Sequence, residues 1–129
     1  NDRFVYIKNT GDKDLVIEGM ELSSTVAGNV EPQRVSGTSD GTGATTALAN
    51  LGKSAEKPDA EVDTGVDIVT LTTLFDLGHF YLIADTPRAI PLKVRLGKSM
   101  QFALNWEVAT GILSGHVDMY EATEEDSKA

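Results

Sequence analysis

The chain has 129 residues, 40% of them hydrophobic, no cysteine, and a net charge of −9 from 11 basic and 20 acidic side chains. That balance describes one soluble domain, long enough to bury a core without disulfide or metal staples, and excludes a cross-linked mini-protein. Both halves share the acidity, which argues against nucleic acid and anionic membrane as partners, since these are held by clustered Lys and Arg. No apolar run is long enough to span a bilayer, and no charged-then-apolar signal segment opens the chain. Asn1 in place of Met predicts trimming or processing of the start.

Phe4 and Tyr6 begin a strand over 4–8, Asn9-Thr10-Gly11-Asp12 supplies turn chemistry, and 15–22 returns, so these two strands are expected to form a hairpin. Leu15 and Ile17 share one parity and Met20 and Leu22 the other; a β-bulge centred on Gly19 accounts for the slip. Residues 35–57, rich in Gly, Ser, Thr and Ala, read as a long exposed excursion and hence a contact surface. Its stretch 45–50 is the best helical candidate in a chain without a sustained helical period. Strands follow over 67–75 and 79–84, broken at Asp76-Leu77-Gly78, with Thr70, Thr72 and Thr73 suited to a pleat.

Ile90, Leu92, Val94 and Leu96 then alternate with polar residues, but Pro91 favours an edge position for this strand. The clearest signal lies over 100–108, where Met100, Phe102, Leu104, Trp106 and Val108 alternate with Gln101, Ala103, Asn105 and Glu107 as in a half-buried strand. Ala109-Thr110-Gly111 is a short turn with glycine where a positive φ is needed, and Leu113, Val117 and Met119 continue in a strand expected to complete a second hairpin. No aromatic residue falls between Ile7 and Leu74, so the packing centre should join the N-terminal strand to the C-terminal half. Seven or eight strands in all indicate an all-β fold, an antiparallel β-sandwich or jelly roll over 1–121, followed by an acidic tail over 122–129.

Several constellations carry the letters of a chemical site. Gly37-Thr38-Ser39-Asp40-Gly41 spells a nucleophile elbow, but its flanks do not alternate strand with helix, and a polar loop accounts for it. Gly52-Lys53-Ser54 and Gly97-Lys98-Ser99 end like phosphate-binding loops; Ala47 and Leu92 stand where the leading glycine belongs, so both read as turns. Asp59, Glu61, Asp63 and Asp67 place alternate carboxylates on one side of an extended chain, as cation ligands would be. The EF-hand spacing fails at Thr64 and Thr70, and a solvated acidic edge strand explains the same residues. His116 and Asp118 share a face of the last strand with Tyr120, and His79 would have to arrive from another strand to extend a zinc set; outward polar positions predict the same residues. Trp106 lies on the apolar parity, in the core rather than on a sugar-stacking platform.

Ile7-Lys8-Asn9-Thr10-Gly11-Asp12-Lys13-Asp14-Leu15-Val16-Ile17 resembles the opening of small β-sandwich structural proteins of tailed-phage virions. Gly97-Lys98-Ser99-Met100-Gln101-Phe102-Ala103-Leu104, Ala109-Thr110-Gly111 and Gly115-His116-Val117-Asp118-Met119-Tyr120-Glu121 resemble their closing hairpin. The resemblance implies a capsid decoration (cement) protein without catalytic residues or cofactor, on the capsid surface of the virion. It would dock on the major capsid protein or another virion protein and form a homo-oligomer, a trimer being the specific expectation. Segments able to order on docking are Asn1, Asp2 and Arg3 at the start and Thr38, Ser39, Thr42, Thr45, Leu48 and Leu51 in the excursion. The alternative is a carbohydrate- or receptor-binding β-sandwich module of a phage tail or secreted protein, in which Trp106, Tyr81 or Tyr120 stacks on sugar rings.

Overall fold

A computed structural model describes residues 2–39, 42–43, 60–64, 68, 70–108 and 110–122, the side chains of residues 2, 42 and 43 excepted. Their strands are β1 (Asp2–Asn9), β2 (Leu15–Ser24), β3 (Gly28–Gly37), β4 (Thr42–Gly43), β5 (Ala60–Thr64), β6 (Leu71–Asp76), β7 (Phe80–Leu82), β8 (Arg88–Ile90), β9 (Val94–Leu96), β10 (Gln101–Trp106) and β11 (Leu113–Glu121). The wider sheet runs β4-β5-β1-β10-β3-β6, with β7 following β6 along the same side of β3. In the narrower sheet β2 lies between β11 and the two short strands β8 and β9. All pairings are antiparallel, and the chain is an all-β sandwich.

Period-two alternation decides what lies between the sheets. The wide sheet contributes Ile7, Val30, Leu82, Phe102, Leu104 and Trp106; the narrow one contributes Leu15, Ile17, Met20, Leu22, Ile90, Val94 and Leu96. Burying each such side chain stabilises the fold by about 1.5–3 kcal/mol. The expected slip in β2 is real: Ile17 pairs with Met119 and Gly19 with Asp118, which leaves Glu18 as the extra residue of a bulge. Gly111 has φ +103, as its turn required. In β11, Gly115 at φ +141 lies so close to β2 that a Cβ would stand 2.0 Å from the Glu21 carbonyl oxygen, so only glycine fits there.

Both expected hairpins are instead arches between the sheets. β1 pairs with β10 and β5, whereas β2 pairs with β11, β8 and β9. Turn residues mark a reversal, and alternation marks the inward face; neither distinguishes a return within one sheet from a crossing to the other. Asn9 secures the first crossing: its side chain accepts from Gly11 N (2.9 Å) and donates to the Lys13 carbonyl (2.8 Å) and to the Leu96 carbonyl of β9 (2.9 Å). The predicted strand containing Pro91 divides into β8 and β9, both bordering β2, so the edge position holds.

Two further expectations change. β3 has no counterpart in the sequence reading, and Val35, taken as the start of an exposed excursion, is buried within it. β10 is buried on both faces, because Ala103 packs on the outer side of the wide sheet with Tyr6, Val35, Ile68 and Leu71. That cover begins where Ile68 N donates to the Arg3 carbonyl (2.9 Å). Ala122, the first residue of the expected tail, is buried and its N–H donates to the Asp14 carbonyl (2.8 Å); 123–129 and the helical candidate 45–50 lie outside the described residues.

Candidate functional site

Pro32 determines where the site forms. In a strand, the N–H and carbonyl of one residue point to the same side, and the Pro32 carbonyl accepts from Leu77 N (2.8 Å) on the β6–β7 side. The missing N–H therefore faces that same edge, where a continuous neighbouring strand would have lacked a donor. β6 pairs with 33–37 and β7 with 28–30, and the link 77–79 fills the gap between them. Gly78, at φ +139, turns that link and delivers His79 beside Glu31.

Three potential metal ligands converge there: Glu31 on β3, His79 in the link, and Glu107 just past the end of β10. One ligand atom from each lies within 4.8 Å of the others. His79 Nδ1 is 3.4 Å from Glu107 Oε1 and 3.7 Å from Glu31 Oε2. Glu31 is buried, and its other oxygen accepts from Asn105 Nδ2 (3.2 Å), so its carboxyl group is held from behind. Burial pushes the Glu31 carboxyl above the usual carboxylate range, and its contact with Glu107 adds to this. Glu107 is shifted the other way, first by the hydrogen bond from Glu31 and then by one from the Asn29 side chain. The two shifts are the opposed effects of one contact between the carboxyl groups. His79 remains half exposed at the mouth of the cluster.

The cation candidates divide differently. Glu61 and Asp63 do share the outer face of β5, and contact with Asp63 raises the Glu61 carboxyl above its ordinary range. Lys8 is the cross-strand partner of Glu61, and its positive charge opposes that shift. Nor is β5 a solvated edge along its whole length: it lies between β4 and β1, and Asp63 is buried beside Tyr6. Asp59 and Asp67 lie outside the described residues. His116 and Asp118 share the outer face of the narrow sheet, 3.6 Å apart and both more than half exposed, while His79 belongs to the other sheet. Trp106 is in the core, with Nε1 donating to the Thr110 carbonyl (3.0 Å).

Among the interface candidates, Arg3 is taken up by the fold. Its guanidinium donates to Gln33 Oε1 (3.2 Å), the Leu71 carbonyl (3.1 Å) and Thr73 Oγ1 (2.5 Å), tying β1 to β3 and β6. Thr38 and Ser39 follow β3, where the Thr38 carbonyl accepts from the Thr70 hydroxyl. Asp2 and Thr42 belong to strands β1 and β4; Asn1, Thr45, Leu48 and Leu51 lie outside the described residues, as do Asp40 and Gly41 of the elbow-like motif and 52–54 of the first Gly-Lys-Ser. The second one is a turn, Met100 N donating to the Gly97 carbonyl (3.0 Å), with Lys98 ion-paired to Asp12 (2.9 Å).

A surface that the sequence reading did not identify lies along the same edge as the cluster. Leu74 and Phe75 on β6, and Tyr81 and Ile83 in and just after β7, are each more than half exposed. Leu74 is the extra residue of a bulge opposite Arg34 and Val35, and the Arg34 guanidinium stacks over the Phe75 ring at 5.7 Å. No family model, curated protein or solved structure matches the chain.

Proposed function

We propose that this chain is a virion structural protein of the capsid decoration type, which docks on a head shell, stabilises it and performs no catalysis. The observation carrying this reading is the exposure of Leu74, Phe75, Tyr81 and Ile83 on the two faces of the β6–β7 edge, since large apolar side chains exposed along a sheet edge are a contact surface in want of a partner. The bulge at Leu74 and the break at 77–79 interrupt that edge, so the contact is made by side chains on a shaped surface rather than by adding a long continuous strand. Net acidity keeps such a protein soluble at high copy number and favours a protein shell over nucleic acid or membrane as the partner. The oligomer we propose is a homotrimer on the capsid surface, docked on the major capsid protein. In the carbohydrate-binding alternative, Tyr81 is the one exposed ring among the three stacking candidates, because Trp106 and Tyr120 are buried.

The test is native mass measurement of the full chain, followed by co-sedimentation with tailed-phage shells lacking their decoration protein, with Phe75→Glu and Tyr81→Glu alongside. An oligomer that sediments with a shell and loses it in both variants, with strand content unchanged by circular dichroism, supports the proposal. A strict monomer that sediments with no shell overturns it.

A further inference from the structure

We infer that Glu31, His79 and Glu107 form a binding site for a divalent transition metal of the zinc type, which fixes the 77–79 link to the wide sheet. The inference is independent of the docking reading. Its first support is spacing. Nitrogen and oxygen ligands at zinc bond lengths in a tetrahedral shell stand roughly 3.4 Å apart, and His79 Nδ1 lies 3.4 Å from one carboxylate oxygen and 3.7 Å from the other. Three ligand atoms from separate stretches of chain all lie within 4.8 Å of one another.

Chemistry narrows the ion. An imidazole nitrogen with two carboxylates is a mixed donor set suited to zinc and its neighbours, whereas calcium and magnesium take oxygen ligands. The surroundings have the features of a prepared site. Asn105 orients the buried Glu31 from the second row, as outer partners do for metal-bound carboxylates. Glu107 is anchored through its backbone, its N–H donating to the Asn29 carbonyl (3.2 Å). On a chain of net charge −9, two carboxyl groups are pressed together beside a histidine, an arrangement that a cation between them would relieve. The half-exposed ring of His79 leaves the fourth coordination position to water. Once bound, the metal would join β3, the end of β10 and the β6–β7 link where Pro32 prevents continuous strand pairing.

The experiment titrates the full untagged chain with Zn²⁺ by calorimetry and with Co²⁺ by visible absorption. Variants are His79→Ala and Glu107→Gln, both at exposed or half-exposed positions, and Glu61→Gln as the control in the other carboxyl pair. The expected result is one saturable equivalent, visible Co²⁺ bands of a tetrahedral centre, affinity weakened at least tenfold in His79→Ala and in Glu107→Gln, and no change in Glu61→Gln. Absence of saturable binding overturns the inference. So does binding that survives both site variants, or that is lost in Glu61→Gln, since either would place the metal elsewhere on the acidic surface.

Discussion

The two histidines occupy the outer faces of opposite sheets, each beside carboxylates, and their settings differ in a way that separates a built cluster from a solvated pair. His116 and Asp118 lie on the narrow sheet, both more than half exposed, next to Glu21 on β2. His79 meets one carboxyl group that is buried and held by Asn105, and a second that contacts the first. The cause is the cover on the wide sheet. Ile68 and Leu71 pack over Tyr6, Val35 and Ala103, so residues facing away from the sandwich interior there are buried and must find partners. On the narrow sheet the same alternation leaves the stretch around His116 in water, where charged neighbours interact weakly.

Substitutions at outward-facing positions sharpen this contrast. Tyr6→Ala removes a ring from the covered face and is expected to cost about 3–5 kcal/mol in denaturant unfolding; a loss under about 1 kcal/mol would mean that this face is not packed. Asn105→Ala strips the buried Glu31 of its oriented donor, with an expected loss of about 1–3 kcal/mol. A milder change, Tyr6→Phe, tests the buried hydroxyl, which donates to Gln101 Oε1 (3.0 Å). Burial, helped by Glu61 and Asp63, pushes the Tyr6 hydroxyl from its ordinary 10.0 up to about 12. The folded state then holds that proton more tightly than the unfolded chain, so the contribution is full below pH 10.0 and is lost as pH rises to about 12. Urea midpoints measured across that window should fall in the native chain and lose this component of the slope in Tyr6→Phe. At the small end, His116→Ala should change stability by less than about 0.5 kcal/mol, and a larger loss would show that the stretch around His116 is not the exposed surface described.

Much of the layering was legible because one strand carried a long alternation: Phe102, Leu104 and Trp106 point inward as their parity demands, and the parity slip at Gly19 locates the bulge at Glu18. The partners of each strand were not legible, since Asn9 to Asp12 and Ala109 to Gly111 signal a change of direction without saying which sheet the chain enters next. β3 went unrecognised because Pro32 in a strand interior ordinarily argues against a strand. Here it is tolerated because the neighbouring edge is broken opposite it. The site followed β3 out of reach: Glu107 sits on the outward parity of a recognised strand, but Glu31 lay in an unassigned segment, and only register brings them to His79. A proline inside an otherwise unassigned polar stretch, followed much later by a Gly-His break between two strands, was the available signal.

Because the chain contains only two histidines, one spectrum can compare both faces directly. Proton NMR of the imidazole signals during Zn²⁺ addition to the full untagged chain should show the His79 resonances shift and saturate at one equivalent while those of His116 stay in place. Parallel movement of both histidines, or movement of His116 alone, would contradict the assignment of a prepared ligand set to the wide sheet and an exposed polar pair, His116 and Asp118, to the narrow one.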